Sequence, residues 1–65
     1  MYFAKKEMFE NVKQREIAEK VGITEFTLSR IINNKQATKK TTAYCIVKAI
    51  NSEAEIEEYF EKKGE

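Results

Sequence analysis

The chain has no histidine and no proline, one cysteine and two glycines among its 65 residues. Without histidine, and with Cys45 alone, there is no ligand set for zinc and no partner for an internal disulfide. There is no phosphate-binding glycine loop and no convergent nucleophile and base, so an enzymatic role has little support. No apolar run reaches 18 residues, which excludes a membrane-spanning helix. The opening stretch, MYFAKKEMFENVK, interleaves Lys5, Glu7 and Glu10 with its apolar residues and does not read as a signal peptide, so the cytoplasm is the expected compartment. No metal or cofactor is expected. The absence of proline, with the helix formers Glu, Lys, Ala and Ile dominant, favours a compact all-helical domain. Sixty-five residues make one domain, residues 1–65, of a size that buries only about 60% of its unfolded surface.

The net charge of +1 hides a division. Residues 1–50 carry ten Lys or Arg and five Glu, whereas residues 51–65 carry two Lys and six Glu. Between residues 26 and 50 lie Arg30, Lys35, Lys39, Lys40 and Lys48, with no acid. Such asymmetry suits an anion-facing side and an acidic end turned to solvent, although charges also simply solvate helix faces.

Five helices are expected. The first runs over residues 3–10, with Asn11 tolerating the left-handed turn after it. The second runs over residues 14–21, with Ile17, Ala18 and Val21 on one stripe and Gly22 as the stop. The third runs over residues 25–33. Thr24 is its N-cap, Glu25 suits the positive end of the helix dipole, and Ile23 with Leu28 forms a hydrophobic staple. Asn33-Asn34 is a turn signal. The fourth runs over residues 39–50, with Thr38 as cap and Ala43, Ile46, Val47 and Ile50 as its buried stripe. Ser52 with Glu55 reads as a capping box for a fifth, whose apolar face is Ile56, Tyr59 and Phe60. Helical spacing makes Tyr59 and Phe60 core residues in preference to interface residues. The final KKGE is expected to fray.

The central run QREIAEKVGITEFTLSRII has the layout of a helix-turn-helix, in which one helix buttresses and the next enters the major groove. At about 100° per residue from Glu25, Leu28, Ile31 and Ile32 centre near 290°, so the outward direction is about 110°. Phe26 falls at about 100°, with Asn33, Arg30 and Ser29 at about 80°, 140° and 40°. Phe26 cannot join the core without rotating the helix and exposing the three aliphatic residues.

Gln14, Ile17-Ala18, Val21-Gly22, Thr24, Leu28, Ile31 and Asn33 match the pattern of the Cro and repressor-type helix-turn-helix domains of phages and bacteria. IVKAI followed by Asn51-Ser52 resembles the end of that family's fourth helix, and IEEYF its fifth. The resemblance covers residues 3–60. It implies a five-helix bundle of the lambda-repressor-like type that binds operator DNA, often as a homodimer. The chain departs from the pattern at Lys13, where the family has Ser, Thr or Asn, at Glu7 and Asn11 near the end of helix one, and at Asn34, where the family has Gly.

For base reading the candidates are Glu25, Phe26, Thr27, Ser29 and Arg30. Arg30 can grip guanine O6 and N7, and its alternative is a surface pair with Glu. Thr27 and Ser29 are short hydroxyls that can reach a base or a phosphate, or stay solvated. Glu25 can accept from a cytosine amino group or serve the dipole. Phe26 can press on a thymine methyl or fill a pocket on a partner protein. For phosphates the candidates are Lys13, Gln14, Thr24, Asn33, Lys35, Lys39 and Lys40, and the resemblance supports Gln14, Thr24, Asn33 and Lys35. Such contacts set register and affinity without reading sequence. Lys39 and Lys40 oppose the dipole of their own helix, so an anion there would explain them. The expected activity is a sequence-specific DNA-binding regulator that works as a homodimer on double-stranded operator DNA. The alternative is a protein-interaction module of the same fold using the Phe26 face.

Overall fold

Three of the expected helices form where the apolar spacing places them. The structure, a computed structural model, describes residues 1–63. In chain order it contains strand β1 (Tyr2–Ala4), a 3-10 helix (Lys6–Phe9), α1 (Gln14–Val21), α2 (Glu25–Ile32), α3 (Lys40–Ile50), α4 (Ile56–Tyr59) and strand β2 (Phe60–Lys62). α1 packs on both α2 and α3, α2 also meets β1, and α3 meets α4.

The apolar stripes of these helices meet in one core. Ile17 and Ala18 of α1, Leu28, Ile31 and Ile32 of α2, and Ala43, Ile46 and Val47 of α3 are all buried. Val21, Ile50 and Tyr59 are only half-buried and pack against its margin. Ile56 and Phe60 are buried as expected, Phe60 edge-on to Phe9 with ring centroids 5.6 Å apart. Burial of Tyr2, Ala4, Phe9 and Ala54 completes the core and had no signal in the helical spacing.

The five-helix bundle is corrected to a mostly helical domain with four α-helices and a small two-stranded sheet. Residues 3–10 do not form one α-helix: only Lys6–Phe9 is helical, as a 3-10 turn. Tyr2–Ala4 is extended and pairs antiparallel with Phe60–Lys62, Ala4 opposite Phe60 and Tyr2 opposite Lys62. Tyr2 and Phe3 suit a half-buried pleated surface, and the strand is stabilised by a partner almost sixty residues away, which local spacing cannot reveal. Lys62, expected to fray, is held in this ladder, and the Lys63 N–H donates to the Met1 carbonyl at 3.0 Å. Gly64 and Glu65, the rest of the expected frayed end, lie outside the described residues.

The same strand reassigns Thr38. Tyr2 and Thr38 exchange two backbone hydrogen bonds of 2.9 Å, and Thr38 is buried. It is therefore a bridge residue. Lys39 takes the N-cap of α3 and supplies no side-chain bond. The capping box of α4 lies three residues beyond the Ser52–Glu55 pair, with Glu58 Oε2 accepting from the Glu55 N–H at 2.9 Å. Residues 51–55 instead form a turn stitched by Lys48, whose Nζ donates to the carbonyls of Ser52 (3.2 Å) and Ala54 (2.8 Å). The consequence for function is positional. The sheet lies beside α2, while α1, itself packed on α3, fixes the buried side of α2.

Candidate functional site

α2 is held at both ends by its own sequence. Before it, Gly22 adopts a left-handed conformation (φ 89°), and the amides of Gly22 and Ile23 both bond the Ala18 carbonyl. Glycine carries no Cβ penalty there, so α1 ends abruptly and the chain turns within two residues. Thr24 Oγ1 then accepts from the Thr27 N–H at 3.0 Å, the expected N-cap. At the far end Asn34 is left-handed (φ 60°), which admits Asn where the resembled pattern has Gly. The Lys35 N–H returns to the Arg30 carbonyl at 2.8 Å and the Asn34 N–H to the Ile31 carbonyl at 3.1 Å, a Schellman motif.

With Leu28, Ile31 and Ile32 buried, the opposite face of α2 points to solvent. Phe26 is 71% exposed, as the helical geometry requires. Glu25 and Arg30 are exposed, and Thr27 and Ser29 are half-buried. Phe26, Ser29, Arg30 and Asn33 line one recess of about 430 Å³ together with Lys6 and Lys35. Three cations border it and, among the described residues, no carboxylate does. On its other flank, Thr27 shares a recess of about 320 Å³ with Gln36, Lys39 and Thr42. Among the described residues Arg30 is paired with no Glu. Its Nε–H donates to Gln36 Oε1 at 3.0 Å, and its Cζ lies 5.8 Å from the centroid of the Phe26 ring.

Some expected contacts are engaged internally. Asn33 Nδ2 donates to the Ser29 carbonyl (2.9 Å) and to Ser29 Oγ (3.3 Å), so its amide donors are turned toward its own helix. The Thr24 hydroxyl donates to Thr27 Oγ1 at 2.9 Å, which leaves the Thr27 hydroxyl proton free to point outward. Lys13 lies 3.9 Å from Glu16, but both side chains are well exposed, and a pair of this kind is worth about 0–1 kcal/mol. Lys40 stands apart from the group. It borders a different recess with Thr41, Tyr44 and Cys45, which no residue of α2 lines.

Lys6 and Gln36 come to this face without a signal in the sequence. Lys6 joins the recess because residues 1–9 form a strand and a 3-10 helix and not one α-helix. Gln36 reaches Arg30 because the Asn34 turn folds the chain back. Neither event leaves a periodic signal.

Two helix starts, unlike that of α2, have no side-chain acceptor. α1 and α3 both begin without a side-chain cap, and each has a lysine, Lys13 or Lys39, as its N-cap residue. Their first-turn amides lack the acceptor that Thr24 supplies to α2, and the start of a helix favours negative charge. Gln14, half-buried, is the first residue of α1.

No helix among the described residues is long and apolar enough to cross a membrane. Searches of curated proteins and of solved structures return no match. A helix-turn-helix family model matches residues 6–56, from the 3-10 helix to the first residue of α4. α1, the Gly22 turn and α2 form that motif, and the match takes in well over half of the chain: the protein belongs to the Cro/C1-type helix-turn-helix family, a family of DNA-binding regulators.

Proposed function

We propose that the chain is a sequence-specific transcriptional regulator of the repressor or Cro type. α2 enters the major groove of operator DNA, and residues 1–65 act as one DNA-binding domain in the cytoplasm. The observation that carries this reading is the composition of the outward face of α2. Arg30, Ser29 and Phe26 stand on it, and a recess bordered by Lys6 and Lys35 adjoins it. Arg30 reads guanine, Phe26 meets a thymine methyl, and Thr27 and Ser29 donate to base edges or phosphates. Glu25 stands in the first turn, where it favours the helix dipole and can accept from a cytosine amino group.

Lys35 and Lys39 flank the reading face and grip the backbone, with Lys13, Gln14 and the uncapped starts of α1 and α3 adding contacts, while the Thr24 hydroxyl contributes only by releasing its bond to Thr27. Asn33 contributes only by releasing its bonds to Ser29, and Lys40 contributes at the margin. Family members contact double-stranded DNA, and a homodimer would set two recognition helices about 34 Å apart, one turn of B-DNA. Phe26 exposure also fits the second reading, an interaction module whose partner has a pocket for an aromatic anchor.

Selection from random duplexes, with the mass measured in solution and on DNA, tests the proposal. A near-palindromic consensus with half-site centres one turn apart, bound by two copies, is the expected result. No binding to any duplex at low salt, with a protein partner captured through Phe26, refutes it.

A further inference from the structure

Arg30 is already held before any ligand arrives. The Gln36 oxygen must face it, because the guanidinium N–H can only donate. With Nε engaged, the N–H groups of Nη1 and Nη2 remain, and they can span guanine O6 and N7. Phe26, one turn earlier on the same face, lies against the guanidinium and limits its swing. Gln36 belongs to no helix. It stands beside Arg30 because Asn34 is left-handed and the Lys35 N–H is tied to the Arg30 carbonyl. Three features of one short segment therefore converge on the posture of a single side chain.

We propose that Gln36 is a positioning residue that, with Phe26, sets Arg30 for one guanine, and that the Phe26–Arg30 pair selects a guanine next to a thymine. This rests on the DNA reading above and names the step that α2 recognises. The Arg30 Cζ and the Phe26 ring are 5.8 Å apart. That separation is less than two base rises of about 3.4 Å each, so the two groups can reach adjacent base pairs. A long arginine loses much rotamer freedom when it docks, and a side chain held beforehand has less to lose.

The test compares the wild type with Gln36→Met, which keeps the length of the side chain and removes the acceptor at an exposed site. The probes are the selected duplex, the same duplex with 7-deazaguanine for the contacted guanine, and the same duplex with deoxyuridine for the neighbouring thymine. Gln36→Met is expected to weaken the selected duplex about fivefold, the ordering cost of one long side chain that the bond otherwise meets in the free protein. Its effect should shrink on the 7-deazaguanine duplex, which keeps only the O6 acceptor, and vanish in an Arg30→Ala background. Loss of the thymine methyl should cost the wild type about fourfold and leave Phe26→Ala unchanged. Without DNA, the Arg30 Nε–H should exchange slowly with water in the wild type and faster in Gln36→Met.

A loss in Gln36→Met that persists in the Arg30→Ala background overturns the inference and leaves the DNA reading standing. So does sequence-preferring binding that is indifferent to the thymine methyl. Failure to bind any duplex overturns both.

Discussion

Replacing Lys35 by alanine separates backbone contact from base reading. The side chain is exposed at the rim of the recess beside Arg30, while the backbone N–H closes the end of α2. Alanine keeps that N–H, so stability should change by no more than about 0.5 kcal/mol. Each phosphate neutralised contributes about −0.9 to the slope of log K against log salt. If Lys13, Lys35 and Lys39 each meet one phosphate, the slope is about −2.7 per protomer and about −5.4 for a dimer on two half-sites. Between 50 and 200 mM salt that is a loss of about 40-fold per protomer. Lys35→Ala should remove about 0.9 from the protomer slope, so its deficit against wild type shrinks about 3.5-fold over the same salt range. Fluorescence anisotropy titrations at four salt concentrations, on the selected duplex and on a scrambled one, measure this directly. An unchanged slope, or a deficit confined to the selected duplex, would refute the backbone role and move Lys35 to the reading face.

Arg30→Ala should cost about 1–3 kcal/mol on the selected duplex and relax preference at one base position, read by repeating the selection with the variant. An equal loss on every sequence contradicts the role given to Arg30. Gly22→Ala meets no atom within 4 Å, so only its φ of 89° resists it. A loss of about 1–2 kcal/mol in urea unfolding is expected, and a cost above about 3 kcal/mol, beyond left-handed strain, contradicts this account. Phe60→Ala removes a ring that is 1% exposed and packed edge-on to Phe9. It should cost about 3–5 kcal/mol. A domain of this size has only about 3–10 kcal/mol of stability, so circular dichroism should show a protein close to unfolding at 37 °C. A native-like melting temperature would show that β2 and its sheet matter little.

Much of α2 was legible because its determinants are local. Gly22, Thr24 and the spacing of Leu28, Ile31 and Ile32 act within one or two turns, and together they set where α2 starts and which side is buried. Once that side is known, the outward position of Phe26 follows from 100° per residue alone. Asn34 was similarly readable, since asparagine accepts the left-handed turn that ends α2.

The tertiary structure decided what depends on partners distant in sequence. Tyr2–Ala4 is a strand because Phe60–Lys62 and Thr38 supply its hydrogen bonds, and no periodicity in residues 1–10 encodes that. The sheet in turn takes the cap of α3 away from Thr38 and leaves Lys39 there. It also brings Lys6 beside Lys35 and Arg30. Sequence by itself determined the motif and the direction of its exposed face, because helix caps and helical spacing are properties of neighbouring residues. Only the folded chain decided the company that face keeps, including the Gln36 bond that holds Arg30, because those contacts form when separate segments close on one another.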